Sequence, residues 1–293
     1  MIKLSIVILS YNTRDLTLEC LKSIVSQYEK ELEGQEIEII VVDNNSSDDS
    51  IKSIKNYLSD LKFGKAIFLI SSNENLGFGK GNNLGAKEAR GKSLLFLNSD
   101  TEVLDKGFLI MADFLEKNSR VGILGGKLEN IDGTAQKSCG KFYNLYNLLL
   151  MLLGFERFGF LRSSPENIQK VDWVSGACLM IKSAVFEKIS RFDEKIFMYA
   201  EDMEICYRAK KFGFLTYFYP NLSLKHKSLG SSNKTFAIIN IYKGILYFYK
   251  KHKTYSEYLI AKTLLILKAK ILIFLSFIIF NPKLRETYRK AIA

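Results

Sequence analysis

The sequence of 293 residues is poor in several features that mark particular protein classes. Its four cysteines are far apart and form no Cys-x-x-Cys pair, which is typical of reduced, buried thiols in a cytosolic protein. The apolar start Ile2–Leu9 is too short for a secretory signal peptide. Neither a Gly-x-Gly-x-x-Gly motif after the first predicted strand nor a Gly-x4-Gly-Lys-Ser/Thr motif occurs, which weighs against dinucleotide-binding and P-loop folds.

Positive charge is distributed unevenly along the chain. The net charge is +11, yet residues 1–242 contribute only +2 and residues 243–293 contribute +9. Within that basic end, Tyr258–Phe280 is strongly apolar, but its uncharged run is shorter than the roughly 20 residues that span a bilayer. These features favour a helix lying in the cytoplasmic face of the cell membrane over a nucleic-acid-binding domain. The alternative is an ordinary helix packed on the rest of the protein or within a homo-oligomer.

Hydrophobic periodicity predicts strands and helices in alternation over the first hundred residues. Because the strands are continuously apolar, the pattern indicates an α/β fold with a mostly parallel sheet covered by helices on both faces. Predicted strands are Leu4–Leu9, Ile37–Val42, Ala66–Ile70 and Ser93–Leu97, and the intervening helices cover residues 15–30, 51–58 (capped by Ser47 or Asp48) and a segment ending near Ala89. Later predicted elements are the helices Phe108–Glu116 and Thr235–Tyr249 and the strands Gly122–Gly126, Val171–Lys182, Leu215–Phe218 and Leu222–Lys225.

Polar residues follow each of the first four predicted strands. In a parallel sheet, ligands bind beyond the carboxyl ends of the strands, so these residues predict a polar cleft. They are Ser10-Tyr11-Asn12, Asp43-Asn44-Asn45, Ser72-Asn73 and Asn98-Ser99-Asp100. Asp100 is a candidate metal-site or phosphate-site carboxylate, although a turn with a capping aspartate is the alternative.

A glycine-rich and asparagine-rich segment, residues 75–85, precedes the third helix. Its glycines are predicted to form a loop whose backbone approaches a ligand, next to a helix N-terminus that favours an anion. A flexible loop without a ligand is the alternative.

Taken in order, these motifs resemble those of the family 2 glycosyltransferases of the GT-A fold. The resemblance covers roughly residues 3–230 and is strengthened by Trp173-Val174-Ser175-Gly176-Ala177 and by the segment Met198–Arg208. Together the motifs look most like the bacterial rhamnosyltransferase branch. The resemblance implies a GT-A catalytic domain over residues 1–235, with a nucleotide-sugar-binding half (1–105) and an acceptor-binding half (106–235), followed by a helical tail (236–293).

The resemblance also implies where the donor and the acceptor bind. Asp43 would accept a hydrogen bond from the nucleotide base, and Tyr11 would pack on the base or ribose. Further nucleotide-sugar contacts are assigned to Ser10, Asn12, Asn75, Gly77, Phe78, Asn82, Asn98, Ser99 and Asp100. Acceptor contacts are assigned to Trp173, Ser175 and Gly176.

A divalent cation, Mn²⁺ or Mg²⁺, is implied on the donor diphosphate. Asp100 would bind it, because hard cations prefer oxygen ligands. The usual motif is Asp-x-Asp, but Asn98 occupies its first position here. His226 is a second candidate ligand, with a surface histidine as the alternative.

The catalytic base is assigned to the pair Glu201-Asp202, with Asp202 preferred. The alternative reading of these acidic residues is a first helical turn that complements the helix dipole. Arg208 is expected either near phosphate or paired with Glu204 at helical spacing. His252, which lies among lysines, is expected to be solvated.

The expected reaction is inverting transfer of a sugar, with dTDP-L-rhamnose favoured, to a lipid-linked or cell-surface glycan. A nucleotidyltransferase is the enzymatic alternative. The non-enzymatic alternative is a membrane-bound nucleotide-sugar-binding protein without catalytic activity.

Overall fold

The computed structural model describes residues 1–63, 66–222, 224–228 and 233–293. Ser223, inside the predicted strand Leu222–Lys225, and residues 229–230, at the end of the region of resemblance, lie outside the described residues. The strands are β1 (Leu4–Ser10), β2 (Ile37–Asp43), β3 (Ile67–Ser71), β4 (Ser93–Asn98), β5 (Thr101–Val103), β6 (Val121–Gly126), β7 (Leu128–Glu129), β8 (Ala135–Gln136), β9 (Cys139–Gly140), β10 (Arg162–Ser163), β11 (Gln169–Val171), β12 (Trp173–Val174), β13 (Cys178–Lys182), β14 (Leu215–Tyr219) and β15 (Leu224–His226).

Ten α-helices are present in the part of the chain that the structure describes. They are α1 (Arg14–Glu33), α2 (Ser50–Ser59), α3 (Gly77–Glu88), α4 (Gly107–Lys117), α5 (Leu145–Leu152), α6 (Ser183–Lys188), α7 (Glu201–Lys211), α8 (Lys234–His252), α9 (Tyr255–Ile278) and α10 (Pro282–Ile292). A 3₁₀ turn covers Phe155–Phe158. The predicted cap of α2 by Ser47 or Asp48 is wrong, because the N-cap residue is Asp49; Asp48 precedes it and accepts from the Ser50 amide at 3.0 Å through Oδ1.

The central sheet has eight strands in the order β11-β14-β6-β13-β4-β1-β2-β3. Strands β3, β2, β1 and β4 are mutually parallel, as the alternating strand and helix pattern predicts. Beyond β4 the sheet is mixed, because β13 lies antiparallel between β4 and β6. Two smaller sheets, β10-β9-β12 and β5-β15-β7-β8, lie beside it. The α/β fold is confirmed, with the parallel order confined largely to the first half.

Helix α3 corrects the prediction of a glycine loop. The helix begins at Gly77, so the glycines of residues 77–85 are helical. A Cβ on Gly81 would lie 2.6 Å from Leu9 Cδ1, and one on Gly85 would lie 2.6 Å from Val7 Cγ1. The glycines therefore let α3 pack tightly on β1 instead of bringing the backbone to a ligand.

The predicted strand Val171–Lys182 is wrong as a single element. It is divided into the end of β11 and the longer β13, which both belong to the central sheet, with the short β12 of a smaller sheet between them. Ser175 and Gly176 break the run, and the Cys178 amide donates to the Ser175 carbonyl at 3.3 Å. This break places Ser175 and Gly176 beside the cavity described below.

Two apolar cores cover the two faces of the central sheet. One core contains Leu21, Ile54 and Phe108 from α1, α2 and α4. The other contains side chains of α7 and, from the end of the chain, Ile245 of α8 and Leu265 of α9. The proposed boundary after residue 235 therefore falls within α8, which packs on the body of the protein.

Helix α9 is apolar on nearly every side. It buries a stripe at Ala261, Leu265, Ala269 and Ser276. Its other face exposes large apolar side chains, including Leu267, Ile271, Phe274 and Phe277. Even so, the search of the described residues finds no helix with the length and hydropathy needed to cross a membrane.

Candidate active site

A cavity of about 750 Å³ lies at the carboxyl ends of β1 and β4. It gathers twelve of the residues predicted from the sequence, which come from six distant parts of the chain. They are Tyr11, Asn75, Phe78, Asn98, Ser99, Asp100, Trp173, Ser175, Gly176, Glu201, Asp202 and His226. The strand-end argument therefore located the cleft, since β1 and β4 both end at it.

The other predicted residues do not line this cavity: Ser10, Asn12, Asp43, Gly77 and Asn82. Ser10 is fully buried, and its hydroxyl lies 2.9 Å from that of Thr17. Asn12 ties the loop after β1 to the loop after β2, because its Oδ1 accepts from the Ser47 amide at 2.7 Å. Asn82 donates to the Phe78 carbonyl at 3.1 Å. These side chains support the walls of the cleft.

Asp43 lies at the end of β2, and only one of its two carboxylate oxygens accepts a hydrogen bond from the described residues. Its Oδ2 accepts from the Ser46 amide at 3.0 Å, whereas its Oδ1 is buried without a hydrogen-bond partner among the described residues. A buried acceptor without a donor is costly, so Oδ1 is suited to an N–H of a bound molecule. The neighbouring Asn44 does line the cavity, and its amide donates to Asn75 Oδ1 at 2.9 Å.

Asp100 and His226 are brought together by the pairing of β5 with β15. His226 Nε2 lies 3.2 Å from Asp100 Oδ1 and 3.3 Å from Asn98 Nδ2. On its other side, His226 Nδ1 lies 2.8 Å from Gln136 Oε1, and the Gln136 amide nitrogen donates to the His226 carbonyl. The Gln136 carbonyl oxygen is suited to accept a proton from Nδ1, and Nε2 is the ring nitrogen that faces Asp100.

A carboxylate oxygen and an imidazole lone pair that face each other are suited to a shared cation. An oxygen and a nitrogen about 3 Å apart can both reach one divalent ion at its usual bond lengths of about 2.0–2.2 Å. Within the described ranges, no group of three or more His, Cys, Asp or Glu side chains could hold a metal. The protein therefore fits a cation only as a two-ligand site that a bound phosphate ligand would complete.

Glu201 and Asp202 begin α7 in the cavity wall, where Glu201 is buried and Asp202 is partly buried. Burial raises the pKa of Glu201 well above its usual value, and the charge of Asp202 raises it further. Burial also raises the pKa of Asp202, but the Met203 and Gly176 amides and the charge of Arg162 oppose that increase. The Met203 amide lies 2.7 Å from Asp202 Oδ1, and the Gly176 amide lies 3.3 Å from Oδ2. Both pKa values are raised, but only that of Asp202 is opposed by nearby amides and by Arg162, so Asp202 is the more readily ionised member of the pair.

The turn before α7 is strained. Tyr199 and Ala200 have φ values of +67° and +74°, which side chains rarely adopt. Gly244 of α8 packs against this turn, and a Cβ there would lie 2.7 Å from the Tyr199 carbonyl oxygen. Strain of this kind persists only where surrounding packing holds it. Helix α8 therefore helps to set the position of Glu201 and Asp202.

A second contact between α7 and α8 is a buried ion network around Glu204. Glu204 is fully buried and pairs with Arg208 at helical spacing, as one reading of the sequence predicted. His252 Nε2 lies 2.9 Å and Lys251 Nζ lies 2.7 Å from Glu204 Oε1. The expectation that His252 is solvated is wrong, because the fold turns its side chain into this network, where it is only 5% exposed.

Glu204 should make stability depend on pH. These partners lower the pKa of Glu204 to about 2, from an ordinary value of 4.5. A lowered folded pKa stabilises the protein above pH 4.5, and this contribution is lost as the pH falls toward 2. We expect the stability advantage of the native chain over Glu204→Gln to shrink by about 2 kcal/mol between pH ~6.5 and pH ~3 in urea unfolding. Glu187→Gln, which removes an exposed pair with Arg191, should show no comparable change.

Sequence reasoning missed several cavity residues. Arg162, whose guanidinium lies 5.2 Å from the Trp173 ring centroid, carried no motif that would identify it. Among the other missed residues, an apolar group lies on α5 and α8 or just before α5: Tyr143, Met151, Phe236, Ala237, Ile241 and Ile245. Their helical spacing was readable, but it could not distinguish a cavity wall from ordinary core. Within α5, Leu148 is fully buried, whereas Met151 lines the cavity.

Comparison with known proteins identifies the family of this chain. The family model for glycosyl transferase family 2 matches residues 5–189. The low-salt glycan biosynthesis hexosyltransferase Agl10 of Haloferax volcanii is 30% identical over 216 residues, covering 71% of this chain and 62% of that protein. The rhamnosyltransferase WbbL of Escherichia coli is 24% identical over 159 residues, covering 51% of this chain and 60% of that protein. The chain thus spans less than two thirds of the length of these curated relatives.

Solved structures share the fold at low sequence identity. GalNAc-T7, crystallised with UDP, GalNAc and Mn²⁺, superposes with a TM-score of 0.63 at 16% identity, over 85% of this chain and 50% of that one. The mannosyltransferase PcManGT of Pyrobaculum calidifontis, in complex with GDP-Man and Mn²⁺, superposes with a TM-score of 0.60 at 16% identity, over 99% of this chain and 73% of that one. With the family model matching well over half of its length, this chain belongs to glycosyl transferase family 2.

Proposed function

We propose that this protein is an inverting glycosyltransferase that moves a sugar from a nucleotide-sugar donor to an acceptor hydroxyl. The single observation that carries the proposal is one cavity lined by the pair Asp100 and His226 and by the pair Glu201 and Asp202. The first pair is suited to a cation on a diphosphate, and the second to proton transfer. The rhamnosyltransferase relative makes dTDP-L-rhamnose the first donor to test.

The donor would lie across the ends of β1, β2 and β4. Asp43 Oδ1, which lacks a partner among the described residues, is available to a base N–H. Tyr11 lines the cavity and offers a ring for the base or ribose. Asn44 and Asn75, bonded to each other, add amide groups at the same edge.

Mn²⁺ or Mg²⁺ would be held by Asp100 and His226 together with the donor phosphates. A bound divalent cation offsets the negative charge of a departing diphosphate. The complexes of the two structural relatives with Mn²⁺ support this choice of ion.

Asp202 would act as the base in a single displacement. The acceptor hydroxyl gives its proton to the Asp202 carboxylate, its oxygen forms a bond to the anomeric carbon, and the bond from that carbon to the diphosphate oxygen breaks. The electron pair of the broken bond leaves with the nucleoside diphosphate. Protonated Glu201 leaves the adjacent Asp202 as the only charged group of the pair, which avoids like-charge repulsion.

Product analysis separates this reaction from its rivals. Incubation of the protein with a panel of nucleotide sugars and Mn²⁺ should release nucleoside diphosphate. Release of pyrophosphate instead would favour a nucleotidyltransferase. Tight donor binding without release of either product, in the presence of lipid-linked and glycan acceptors, would favour a non-catalytic binding protein.

Gly244→Ala is expected to lower kcat about tenfold or more without unfolding the protein. The added methyl group would press on the Tyr199 carbonyl and displace the turn that positions Asp202. A control for this variant must lie away from the cavity. Ala237→Gly also changes one methyl group on α8, but Ala237 lines the cavity, so it cannot serve. Gly213→Ala is the better control, because no atom lies within 4 Å of the added Cβ, and only backbone strain results. Unchanged kcat in Gly244→Ala would contradict a positioning role for α8.

The exposed face of α9 is proposed to bind the cytoplasmic membrane surface. No acidic residue occurs between residues 258 and 285, whereas Lys262, Lys268, Lys270 and Lys283 do. A second copy of this chain would bring the same charge, so an anionic lipid surface is the better partner. A homo-oligomer through this face is the alternative outcome.

Vesicle sedimentation tests the membrane proposal. Phe274→Glu should weaken binding to phosphatidylglycerol-containing vesicles at least threefold, because Phe274 is 66% exposed on α9. Ile110→Glu, at a 55% exposed site on α4, should bind like the native chain. Absence of binding by the native chain, or a concentration-dependent dimer that Phe274→Glu disrupts, would contradict membrane docking.

A further inference from the structure

Gln136 contacts His226 through both ends of its side-chain amide. Its Oε1 lies 2.8 Å from His226 Nδ1, and its Nε2 lies 2.6 Å from the His226 carbonyl oxygen. Gln136 belongs to β8 and His226 to β15, and β7 lies between these two strands in their sheet. The two hydrogen bonds are therefore not part of the backbone pairing of the sheet. They join the imidazole ring and the main chain of His226 to one amide group.

The surroundings of the Gln136 amide group determine which way it faces. A backbone carbonyl oxygen can only accept a hydrogen bond, so the atom next to the His226 carbonyl must be the amide nitrogen. The same nitrogen lies 2.7 Å from Asn130 Oδ1. Gln136 Oε1 is then the atom beside His226 Nδ1, and because this oxygen can only accept, Nδ1 must carry a proton to form the bond. The Ser228 hydroxyl, at 3.4 Å, is a more distant neighbour of Nδ1.

The hairpin formed by β7 and β8 continues the same series of hydrogen bonds. Asn130 Nδ2 donates to the Thr134 hydroxyl oxygen at 2.8 Å, and that hydroxyl donates to Asp132 Oδ1 at 2.6 Å. Hydrogen bonds from Thr134 lower the pKa of Asp132, so its carboxylate is ionised at neutral pH and can only accept. Every donor in the series thus points from His226 toward Asp132. The Asp132 carboxylate and the His226 carbonyl together allow one arrangement of Gln136.

A proton on Nδ1 determines what the neutral ring of His226 offers on its other side. Nε2 then has a lone pair, and it lies 3.2 Å from Asp100 Oδ1 and 3.3 Å from Asn98 Nδ2. A lone pair and a carboxylate oxygen at this distance repel each other, and a cation bound by both removes that repulsion. The other neutral form of the ring would instead point an N–H group at the place where the cation is proposed to bind.

We infer that Gln136 is a positioning residue that holds the neutral ring of His226 with its proton on Nδ1 and so keeps Nε2 available to a divalent cation. The inference rests on the proposed function, because that function includes the cation. Gln136 does not line the cavity, so it would act through His226 and not by contact with the donor. Loss of a partner that orients a metal-binding histidine typically lowers metal affinity by about tenfold or more.

Nitrogen NMR of the imidazole rings tests the position of the proton with neither donor nor cation present. At a pH of about 8, where an imidazole is mostly neutral, His226 should carry its proton on Nδ1 in the native chain. The chain has only two histidines, so the spectrum of His226→Gln assigns the signals of His226, and those of His252 report an intact fold. Gln136→Met removes the acceptor and should move the proton toward Nε2. Gln136→Glu keeps an acceptor and should retain the proton on Nδ1.

The affinity for Mn²⁺ tests the consequence of this arrangement. In electron paramagnetic resonance with nucleoside diphosphate present, Gln136→Met should weaken Mn²⁺ binding about tenfold or more, and Gln136→Glu should stay within about threefold of the native chain. Gln169→Met is the matched control, because it makes the same change at an exposed site on β11 outside the cavity, and it should stay within about twofold. In a double-mutant cycle, Gln136→Met should have no further effect once His226→Gln is present.

Three results would overturn the inference. They are a native His226 ring with its proton on Nε2, a Gln136→Met protein with native affinity for Mn²⁺, and a loss of affinity that is equally large in the His226→Gln background. The NMR measurement requires no turnover, whereas release of nucleoside diphosphate tests the proposed function, so failure of one is distinguished from failure of the other. If Gln136→Met also shifts the signals of His252, Gln136→Leu replaces it, and the spectrum of the native chain still tests the position of the proton.

Discussion

Asp202→Asn is expected to lower turnover by about 1,000-fold or more while leaving donor affinity within about threefold. Asparagine has nearly the same shape and keeps the contacts of Oδ1 with the Met203 amide. It cannot accept the proton of the acceptor hydroxyl, so the attacking oxygen stays neutral. Single-turnover product formation gives the rate, and calorimetry with the nucleoside diphosphate gives the affinity.

Glu201→Gln is the matched comparison, because it removes the neighbouring carboxyl group from the same helical turn. If Glu201 is already protonated, the change should cost about tenfold or less in kcat. Since the base must be ionised, kcat should rise with pH through the pKa of Asp202, which burial raises above its ordinary value. If Asp202→Asn were active and Glu201→Gln were inactive, Glu201 would be the base and Asp202 its protonated neighbour.

Asp100→Asn is expected to lower kcat/KM by about 100-fold or more and to weaken Mn²⁺ binding. The change replaces a charged ligand with a neutral one and leaves His226 as the only strong ligand from the protein. Electron paramagnetic resonance of Mn²⁺, with nucleoside diphosphate present, measures the affinity without any reaction. Equal affinity in the native and Asp100→Asn proteins would show that the cation binds elsewhere.

Asp113→Asn is the control for that experiment, since it removes a carboxylate that pairs with Lys3 outside the cavity. His226→Gln is the second variant to be compared in the same measurement of Mn²⁺ binding. It should weaken Mn²⁺ binding less than Asp100→Asn, because a neutral imidazole contributes no charge to the site. Loss of binding in Asp113→Asn would instead indicate a general effect of surface charge.

The first half of the fold and the place of its cleft could be predicted from local patterns. Largely apolar runs of five or six residues predicted β1 to β4, and the polar residues after them predicted the cleft, since parallel strands end at one edge. The same approach failed at the glycines of α3. Glycine permits both a loop and a close helix contact, and only the position of Leu9 and Val7 against α3 distinguishes the two.

The acceptor side of the cavity could not be assembled from the sequence. Arg162, Met151 and Ile241 are separated along the chain and belong to no motif, and they meet because α5 and α8 pack beside α7. His252 illustrates the same limit, since a histidine among lysines is expected in water until α8 is seen to pack against Glu204.

The sequence by itself determined the α/β class, the cleft at the strand ends, and the candidate carboxylates Asp100, Glu201 and Asp202. These features depend on residues near one another in the chain, where strand polarity and helix starts leave a local signal. Only the tertiary structure decided that His226 faces Asp100, that amides and Arg162 act on Asp202 but not on Glu201, and that apolar side chains of α5 and α8 line one side of the cavity. Those features depend on contacts between distant segments, whose distances and burial no local pattern contains.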